Sequence, residues 1–226
     1  MTETFTYFSQ LPLVELIAVF MALMYVILAA KGNIWCWPAA FISTILYTAI
    51  FYDVYLLMDS LLQVYYMVMA VYGWYCWQQA NNSNKVNTVL QQDPNDENKL
   101  ANNMIIIETW ALQTHVYIIV ILSVMSLLLG WLMANYTQAD FPYFDAATTV
   151  FAVFATFMVT KKILENWLYW LVIDFVSIYI YIEKGLTPTA VLFGLYVVLA
   201  AYGYFQWRKN YHQQQLPLCQ QGQDIA

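Results

Sequence analysis

The chain has 226 residues, of which 62% are hydrophobic and only 10% are charged. Soluble domains carry about 25% charged residues, so this composition argues against a water-soluble protein and favours one that is embedded in a bilayer. The formal net charge is -6, with eight basic residues and no basic cluster, which excludes nucleic acid as a partner. The three cysteines are too widely spaced for a CxxC zinc site or a disulfide framework, and we expect no metal or cofactor.

Seven apolar segments are predicted to be transmembrane helices, because about 20 mostly apolar residues cross the hydrocarbon layer. They cover residues 13–30, 34–51, 54–77, 112–134, 142–160, 167–182 and 186–207. The N-terminus begins MTETF, with no basic region, so we expect the first segment to stay in place as a helix and not to be a cleaved signal peptide. The connection 78–103 is rich in Asn and Gln and is predicted to be a flexible loop, as is the tail after Lys209.

The basic residues between these segments predict the orientation of the chain, because Lys and Arg are retained on the cytoplasmic side. Successive connections between the spans lie on alternate sides of the membrane, and the connections on one side hold a single basic residue, Lys184. The connections on the other side hold Lys31, Lys85, Lys99, Lys161, Lys162, Arg208 and Lys209. This bias predicts an N-terminus outside the cell and a C-terminus in the cytoplasm.

The sequence contains an internal repeat. AVYGWYCW at 70–77 matches AAYGYFQW at 200–207, and the segment ending at Trp37 resembles the one ending at Trp170. Trp37 lies 36 residues before Gly73, whereas Trp170 lies 33 residues before Gly203. Two parallel halves, each of three spans, are therefore predicted around a pseudo-twofold axis along the membrane normal, with a site near the midplane between them.

This repeat divides the chain into five units. They are a first triple-helix bundle at 11–77, a polar cytoplasmic loop at 78–111, a linking transmembrane helix at 112–134, a second triple-helix bundle at 142–207 and a cytoplasmic tail at 208–226.

Several motifs resemble those of the PnuC family of bacterial vitamin transporters. They are WP at 37–38, LLQ at 61–63, YGWYCW at 72–77, FPYFD at 141–145, TKKILENWLYW at 160–170 and GYFQW at 203–207. The resemblance implies an all-α integral membrane protein of the bacterial inner membrane, with a SWEET-like 3+1+3 layout. It also implies facilitated diffusion of nicotinamide riboside, or of thiamine in one subgroup, with a cytoplasmic vitamin kinase that traps the substrate. Whether the chain forms a homo-oligomer is left open.

Asp174 is the sharpest candidate for substrate binding. It lies about 13 Å into the sixth span at 1.5 Å per residue, close to the midplane. It shares a helix face with Asn166 and Trp170, and Trp167 flanks that face. A carboxylate beside indole rings would hold an aromatic cation by ion pairing and cation–π attraction. The alternative is a structural aspartate bonded to a helix neighbour. Many nicotinamide riboside carriers of the family have Asn at this position, so thiamine and nicotinamide riboside stand as equal alternatives.

A second group of candidates lies in the first half. Asp59 and Gln63 are four residues apart on the third span, so they share a face. Gln63 matches the LLQ motif, and it either hydrogen-bonds the ligand or joins helices. Asp59 is either a second cation-attracting group or an interfacial acid. The aromatic residues predicted to share faces with these polar groups are Trp37, Phe41, Tyr47 and Tyr66. Glu15 is predicted to be an interfacial acid, and Asp145 to cap the fifth span or to form an ion pair.

Three other functions compete with vitamin uptake. An enzyme would need a nucleophile–base pair or a metal cluster, but the two histidines, His115 and His212, lie far apart in the sequence. A retinal protein would need a lysine inside the seventh span, which has none. A proton-coupled symporter stays open, because Asp59 and Asp174 could carry protons.

Overall fold

The computed structural model describes residues 13–53, 57–91, 106–137 and 140–223, with the side chains of 57–59, 83–91, 188 and 216–223 left out. Seven helices account for most of these residues. They are α1 (Leu13–Ala30), α2 (Cys36–Asp53), α3 (Leu57–Gln91), α4 (Leu112–Tyr136), α5 (Pro142–Thr160), α6 (Asn166–Glu183) and α7 (Thr187–Gln223). The predicted all-α fold with seven helices is confirmed.

Two helices are longer than predicted. Helix α3 continues past Trp77 to Gln91, and α7 continues past Trp207 to Gln223. Residues 78–91 contain neither Gly nor Pro. Once a helix is nucleated by its apolar part, each further residue adds a backbone hydrogen bond at low cost. Part of the segment predicted to be a flexible loop is therefore helical. The prediction of a flexible tail after Lys209 is also wrong as far as Gln223, where α7 ends.

Four helices are by length and composition long and apolar enough to cross a membrane: α1, α4, α5 and, within α7, residues 189–215. Helices α2 and α6 carry polar side chains that are buried inside the protein, among them Ser43, Thr44 and Asp174. Such residues lower the hydropathy of a helix whose outer face still carries large exposed hydrophobic residues.

Six of the helices form a closed ring. Helix α2 packs between α1 and α3, and α6 packs between α5 and α7. The two bundles meet where α1 contacts α7 and where α3 contacts α5. Exchanging α1, α2 and α3 with α5, α6 and α7 maps every one of these contacts onto another, as a twofold axis through the ring requires. Helix α4 packs on the outside against α5, so the layout is three helices, one linking helix and three helices.

The structure corrects the register of the repeat. Trp37 is equivalent to Trp167 and not to Trp170: each is the second residue of its helix, and each ring lies against a glycine, Gly73 or Gly203. Both spacings are then 36 residues, and the two halves are related by a constant offset of 130 residues. The predicted pairing was wrong because α6 carries two tryptophans one helical turn apart, and both fit the pattern.

The turns that follow α1 and α5 obey the same offset. Gly32 has a φ of 64° and its equivalent Lys162 has a φ of 55°. The next amide donates to a carbonyl five residues earlier in each half, from Asn33 to Leu28 at 2.9 Å and from Ile163 to Met158 at 3.1 Å. Both helices thus end in the Schellman type of cap, which needs a left-handed residue.

Four buried indole rings fill one end of the ring. This tryptophan quartet consists of Trp37, Trp77, Trp167 and Trp207. Within each half the rings meet edge to face, with centroids 5.4 Å apart for Trp37–Trp77 and 5.5 Å apart for Trp167–Trp207. Trp77 and Trp207, which are equivalent to each other, meet between the halves at 6.2 Å. We call this the tryptophan end of the ring, and the opposite end, where α1 begins, the Glu15 end.

Two equivalent hydrogen bonds join the halves at the tryptophan end. The indole N–H of Trp77 donates to the carbonyl of Val159, with an N···O distance of 3.3 Å. The indole N–H of Trp207 donates to the carbonyl of Ala29, at 3.0 Å. Both members of one bond are offset by 130 residues from those of the other, so each half holds the last turn of the other's first helix.

Candidate functional site

A cavity of about 510 Å³ lies inside the six-helix ring. Sites for small molecules commonly have volumes of about 300–1,000 Å³. The cavity runs from residues near the Glu15 end, including Glu15, Phe51 and Thr189, to Trp167 and Ala200 beneath the tryptophan quartet. Five of the ring's helices, α1, α2, α3, α6 and α7, supply most of its walls, and α5 contributes Val159.

Asp174 lines this cavity from the middle of α6. The residue is only 4% exposed. No hydrogen bond or ion pair joins its carboxylate to another described residue, and the hydroxyl of Tyr196 is within electrostatic reach of it. A buried carboxylate without a counter-charge costs several kcal/mol, so its position against a cavity favours a cationic occupant.

The two halves place different side chains at equivalent positions of the cavity wall. In the second half, Trp170 lies one helical turn from Asp174, and Phe193 lines the wall on α7. The first half places Thr44 at the position equivalent to Asp174 and Gln63 at the position equivalent to Phe193. The repeat is therefore symmetric in its backbone and asymmetric in its chemistry, because a threonine is the equivalent of Asp174 and a glutamine is the equivalent of Phe193.

Six of the ten predicted site residues line the cavity. They are Gln63, Tyr47, Tyr66, Trp167, Trp170 and Asp174. Trp37 lies outside it, because its ring packs against Gly73 within the quartet. Phe41 follows Ala40, which does line the cavity, and packs on the core cluster around the quartet instead. Asn166 is fully buried in the first turn of α6, where its amide donates to the carbonyl of Ile163. The side chain of Asp59 lies outside the described residues.

Most of the other lining residues were not predicted as site residues, and three of them are notable. Tyr25 and Tyr196 line the cavity from α1 and α7, and Glu15 lies near its end. Tyr196 is the equivalent of Tyr66 at the 130-residue offset. The correct register would therefore have identified it, since Tyr66 was itself predicted. No comparable signal in the sequence indicates Tyr25.

Lys162 is a buried cation at the tryptophan end. It is 5% exposed, and its Nζ lies 4.9 Å from the ring centroid of Trp77. Burial lowers the pKa of its amine to about 8. Its neighbour Lys161 is exposed, with its Nζ 5.2 Å from the ring of Tyr72, and a hydrogen bond to Tyr72 raises the pKa of Lys161. Neither lysine lines the central cavity.

Comparison with known proteins identifies the family. A family model described as nicotinamide mononucleotide transporter matches residues 12–209. The chain belongs to this family. It is therefore a multi-pass membrane transporter of a small-molecule vitamin and not an enzyme, as predicted from the PnuC-like motifs.

Individual relatives are distant but cover most of the chain. The nicotinamide riboside transporter PnuC of Escherichia coli is 24% identical over 203 residues, which cover 86% of this chain and 84% of the relative. The riboflavin/roseoflavin transporter RibM of Streptomyces davaonensis is 22% identical over 210 residues, covering 91% and 90%. The crystal structure of the vitamin B3 transporter PnuC matches with a TM-score of 0.66 at 18% identity, over 87% of this chain and 81% of that one. At that identity the structure supports the fold alone.

Proposed function

We propose that this protein carries an aromatic cationic vitamin, nicotinamide riboside or thiamine, across the bacterial inner membrane by facilitated diffusion. The observation that carries the proposal is Asp174, a buried carboxylate with no ionic partner among the described residues, which faces the cavity beside Trp170. The name of the relative in Escherichia coli supports nicotinamide riboside in particular. Riboflavin has no ring cation for Asp174 to hold, so we rank it below both.

The lining of the cavity supports a cation in a second way. Its charged residues among those described are Glu15 and Asp174, and both are acidic. Trp170 adds an aromatic face of the kind that attracts cations. Gln63 and the tyrosine hydroxyls offer hydrogen bonds to the polar part of a ligand. This lining fits a ligand whose cationic ring is held by Asp174 and Trp170 and whose polar part lies near Gln63.

The tryptophan quartet suggests how transport proceeds. Lys31, Lys161 and Lys162 lie at this end, whereas Lys184 lies at the other, so the positive-inside bias supports a cytoplasmic position for the quartet. A ligand would enter from the Glu15 end and bind at mid-membrane. The two halves would then rock apart at the tryptophan end, breaking the two indole–carbonyl hydrogen bonds, and a cytoplasmic vitamin kinase would trap the product.

Binding to the purified full-length protein tests the proposal. Tryptophan fluorescence would be titrated with nicotinamide riboside, thiamine and riboflavin, for the wild type and for Asp174→Asn. A close pair of opposite unit charges attracts by about 4 kcal/mol at an effective dielectric constant near 20, so we expect the variant, which loses this attraction, to bind the cations at least about tenfold more weakly. Thr44→Val is the matched control, because it alters the equivalent lining position without changing charge, and we expect little effect. Unchanged cation binding by Asp174→Asn would sink the proposal.

Coupling to protons is the alternative that the same residue favours, because a carboxylate without a partner could also accept a proton. Proteoliposomes with a pH gradient imposed across the membrane separate the two mechanisms. Facilitated diffusion predicts that the substrate equilibrates at the same rate with and without a protonophore. Accumulation above equilibrium that collapses with the protonophore would establish coupling instead.

A further inference from the structure

Glu15 and Asp145 occupy equivalent positions, 130 residues apart, in the first turns of α1 and α5. The two acids have different surroundings. Asp145 lies 3.6 Å from the amine of Lys184 and does not line the cavity. Glu15 lines the cavity, and no ion pair joins it to another described residue. The residue equivalent to Lys184 is Val54, which carries no charge. The repeat therefore neutralises one acid and leaves its counterpart facing the substrate path.

The position of Glu15 relates it to Asp174. At 1.5 Å per residue, Glu15 lies about 22 Å from the tryptophan end along α1, and Asp174 lies about 12 Å from that end along α6. The two carboxylates are therefore separated by about 10 Å along the axis of the ring. Tyr47 and Tyr196 line the same cavity as the two acids.

We propose that Glu15 is a specificity-determining residue that draws aromatic cations into the cavity and selects them over uncharged analogues. This inference rests on the proposed function, since Asp174 is the group that holds the cation afterwards. An acid at the end of a low-dielectric cavity raises the local concentration of cations and their association rate. Because Asp145 is paired with Lys184 and does not line the cavity, it exerts no comparable attraction.

The expected size follows from Coulomb's law. A charge about 10 Å away changes the affinity of a bound cation about twofold in a water-like dielectric and up to about twentyfold at an effective dielectric constant near 20. We therefore expect Glu15→Gln to slow association and to weaken equilibrium binding of the cation within that range. The effect should shrink with added salt, because the screening length falls from about 10 Å at 0.1 M to about 3 Å at 1 M.

Stopped-flow tryptophan fluorescence on the full-length protein tests this inference. The probes are nicotinamide riboside and its reduced form, which keeps the ribose and the amide but lacks the ring charge. We expect Glu15→Gln to slow association of the cation at low salt and to leave the reduced form unaffected. Glu15→Asp keeps the charge and should behave like the wild type. The matched control removes both members of the neutral pair, Asp145→Asn together with Lys184→Gln, and should have no effect on association.

The outcomes separate the two proposals. If Glu15→Gln matches the wild type while Asp174→Asn weakens cation binding, the role of Glu15 is wrong and the proposed function stands. Equal effects of Glu15→Gln on the charged and the reduced probe would also overturn it, by indicating a structural role. If neither acid matters and both probes bind alike, the proposed function itself fails.

Discussion

Replacing Lys162 with glycine is expected to stabilise the protein at neutral pH. Lys162 has a φ of 55°, and its equivalent in the first half is already a glycine, Gly32, with a φ of 64°. A left-handed backbone costs a residue with a side chain about 1 kcal/mol. The amine of Lys162 is also buried, and its contact is the ring of Trp77 at 4.9 Å, with no carboxylate paired to it among the described residues.

The pH dependence follows from the lowered pKa of Lys162. Its amine titrates near 8 in the folded protein and near 10.5 when free of its surroundings. Below pH 8 both states are protonated, so the folded state bears the full cost of the buried charge, about 3 kcal/mol. Between pH 8 and 10.5 the unfolded state binds more protons, so the stability of the wild type rises with pH. The glycine variant lacks this rise, and its advantage is largest at low pH.

We expect a net gain of about 2 kcal/mol at pH 7. The relief of strain and of the buried charge, about 4 kcal/mol together, exceeds the loss of a cation–π contact of about 1 kcal/mol and the backbone entropy cost of glycine, also about 1 kcal/mol. For a protein of this size the melting temperature should rise by about 4–8 °C. Thermal unfolding in detergent at pH 7 and pH 9.5 measures this rise in melting temperature. The rise relative to the wild type should be smaller at pH 9.5. Lys161→Gly, at an exposed neighbour with a φ of -90°, should give no gain. An advantage that is absent at pH 7, or that grows with pH, would refute the reasoning.

Two further predictions concern packing at the tryptophan end. A Cβ at Gly203 would lie 2.7 Å from the ring of Trp167, whereas nothing lies within 4 Å of one at Gly194. Gly203→Ala should therefore lower the free energy of unfolding by about 1–3 kcal/mol, and Gly194→Ala should not lower it. Thermal unfolding of both variants measures the difference. Removing the indole donors with Trp77→Phe and Trp207→Phe should loosen the contact between the halves. In a protein whose other cysteines are replaced by serine, the buried thiol of Cys36 should then react faster with maleimide. An unchanged rate in the double variant would contradict the idea that these two hydrogen bonds hold the halves together.

Helix positions could be predicted because apolar runs and polar breaks alternate along the chain. The ends of α1 and α5 were predicted at the residues where the structure has them, Ala30 and Thr160. The ends of α3 and α7 were missed because polar residues continue a helix once the apolar part has formed it. Hydropathy reports which residues lie in the membrane and says little about where a helix stops in water.

The cavity could be predicted only in part, because it is created by ring closure. Asp174 and Trp170 follow from helical spacing within α6. Glu15 and Tyr196 come from helices that are distant in the sequence and adjacent only where α1 meets α7. Asn166 shares a helix face with Asp174, yet it lies in the first turn of α6, where its side chain donates a hydrogen bond to the carbonyl of Ile163. Helical periodicity predicts which side of a helix a residue lies on. Whether that residue reaches the cavity also depends on its depth along the ring, which only the packing of all six helices determines.

At the tryptophan end, two indole N–H groups donate hydrogen bonds and two are buried without an acceptor among the described residues. The indole N–H groups of Trp77 and Trp207 are bonded across the halves, while those of Trp37 and Trp167 are buried without a partner. A made bond contributes about 1 kcal/mol net, and an unsatisfied buried donor costs about 1–3 kcal/mol. Rocking the halves apart would break the first pair and hydrate the second, so the polar terms nearly cancel. Such a balance would let this end open by thermal motion, as the proposed facilitated diffusion requires.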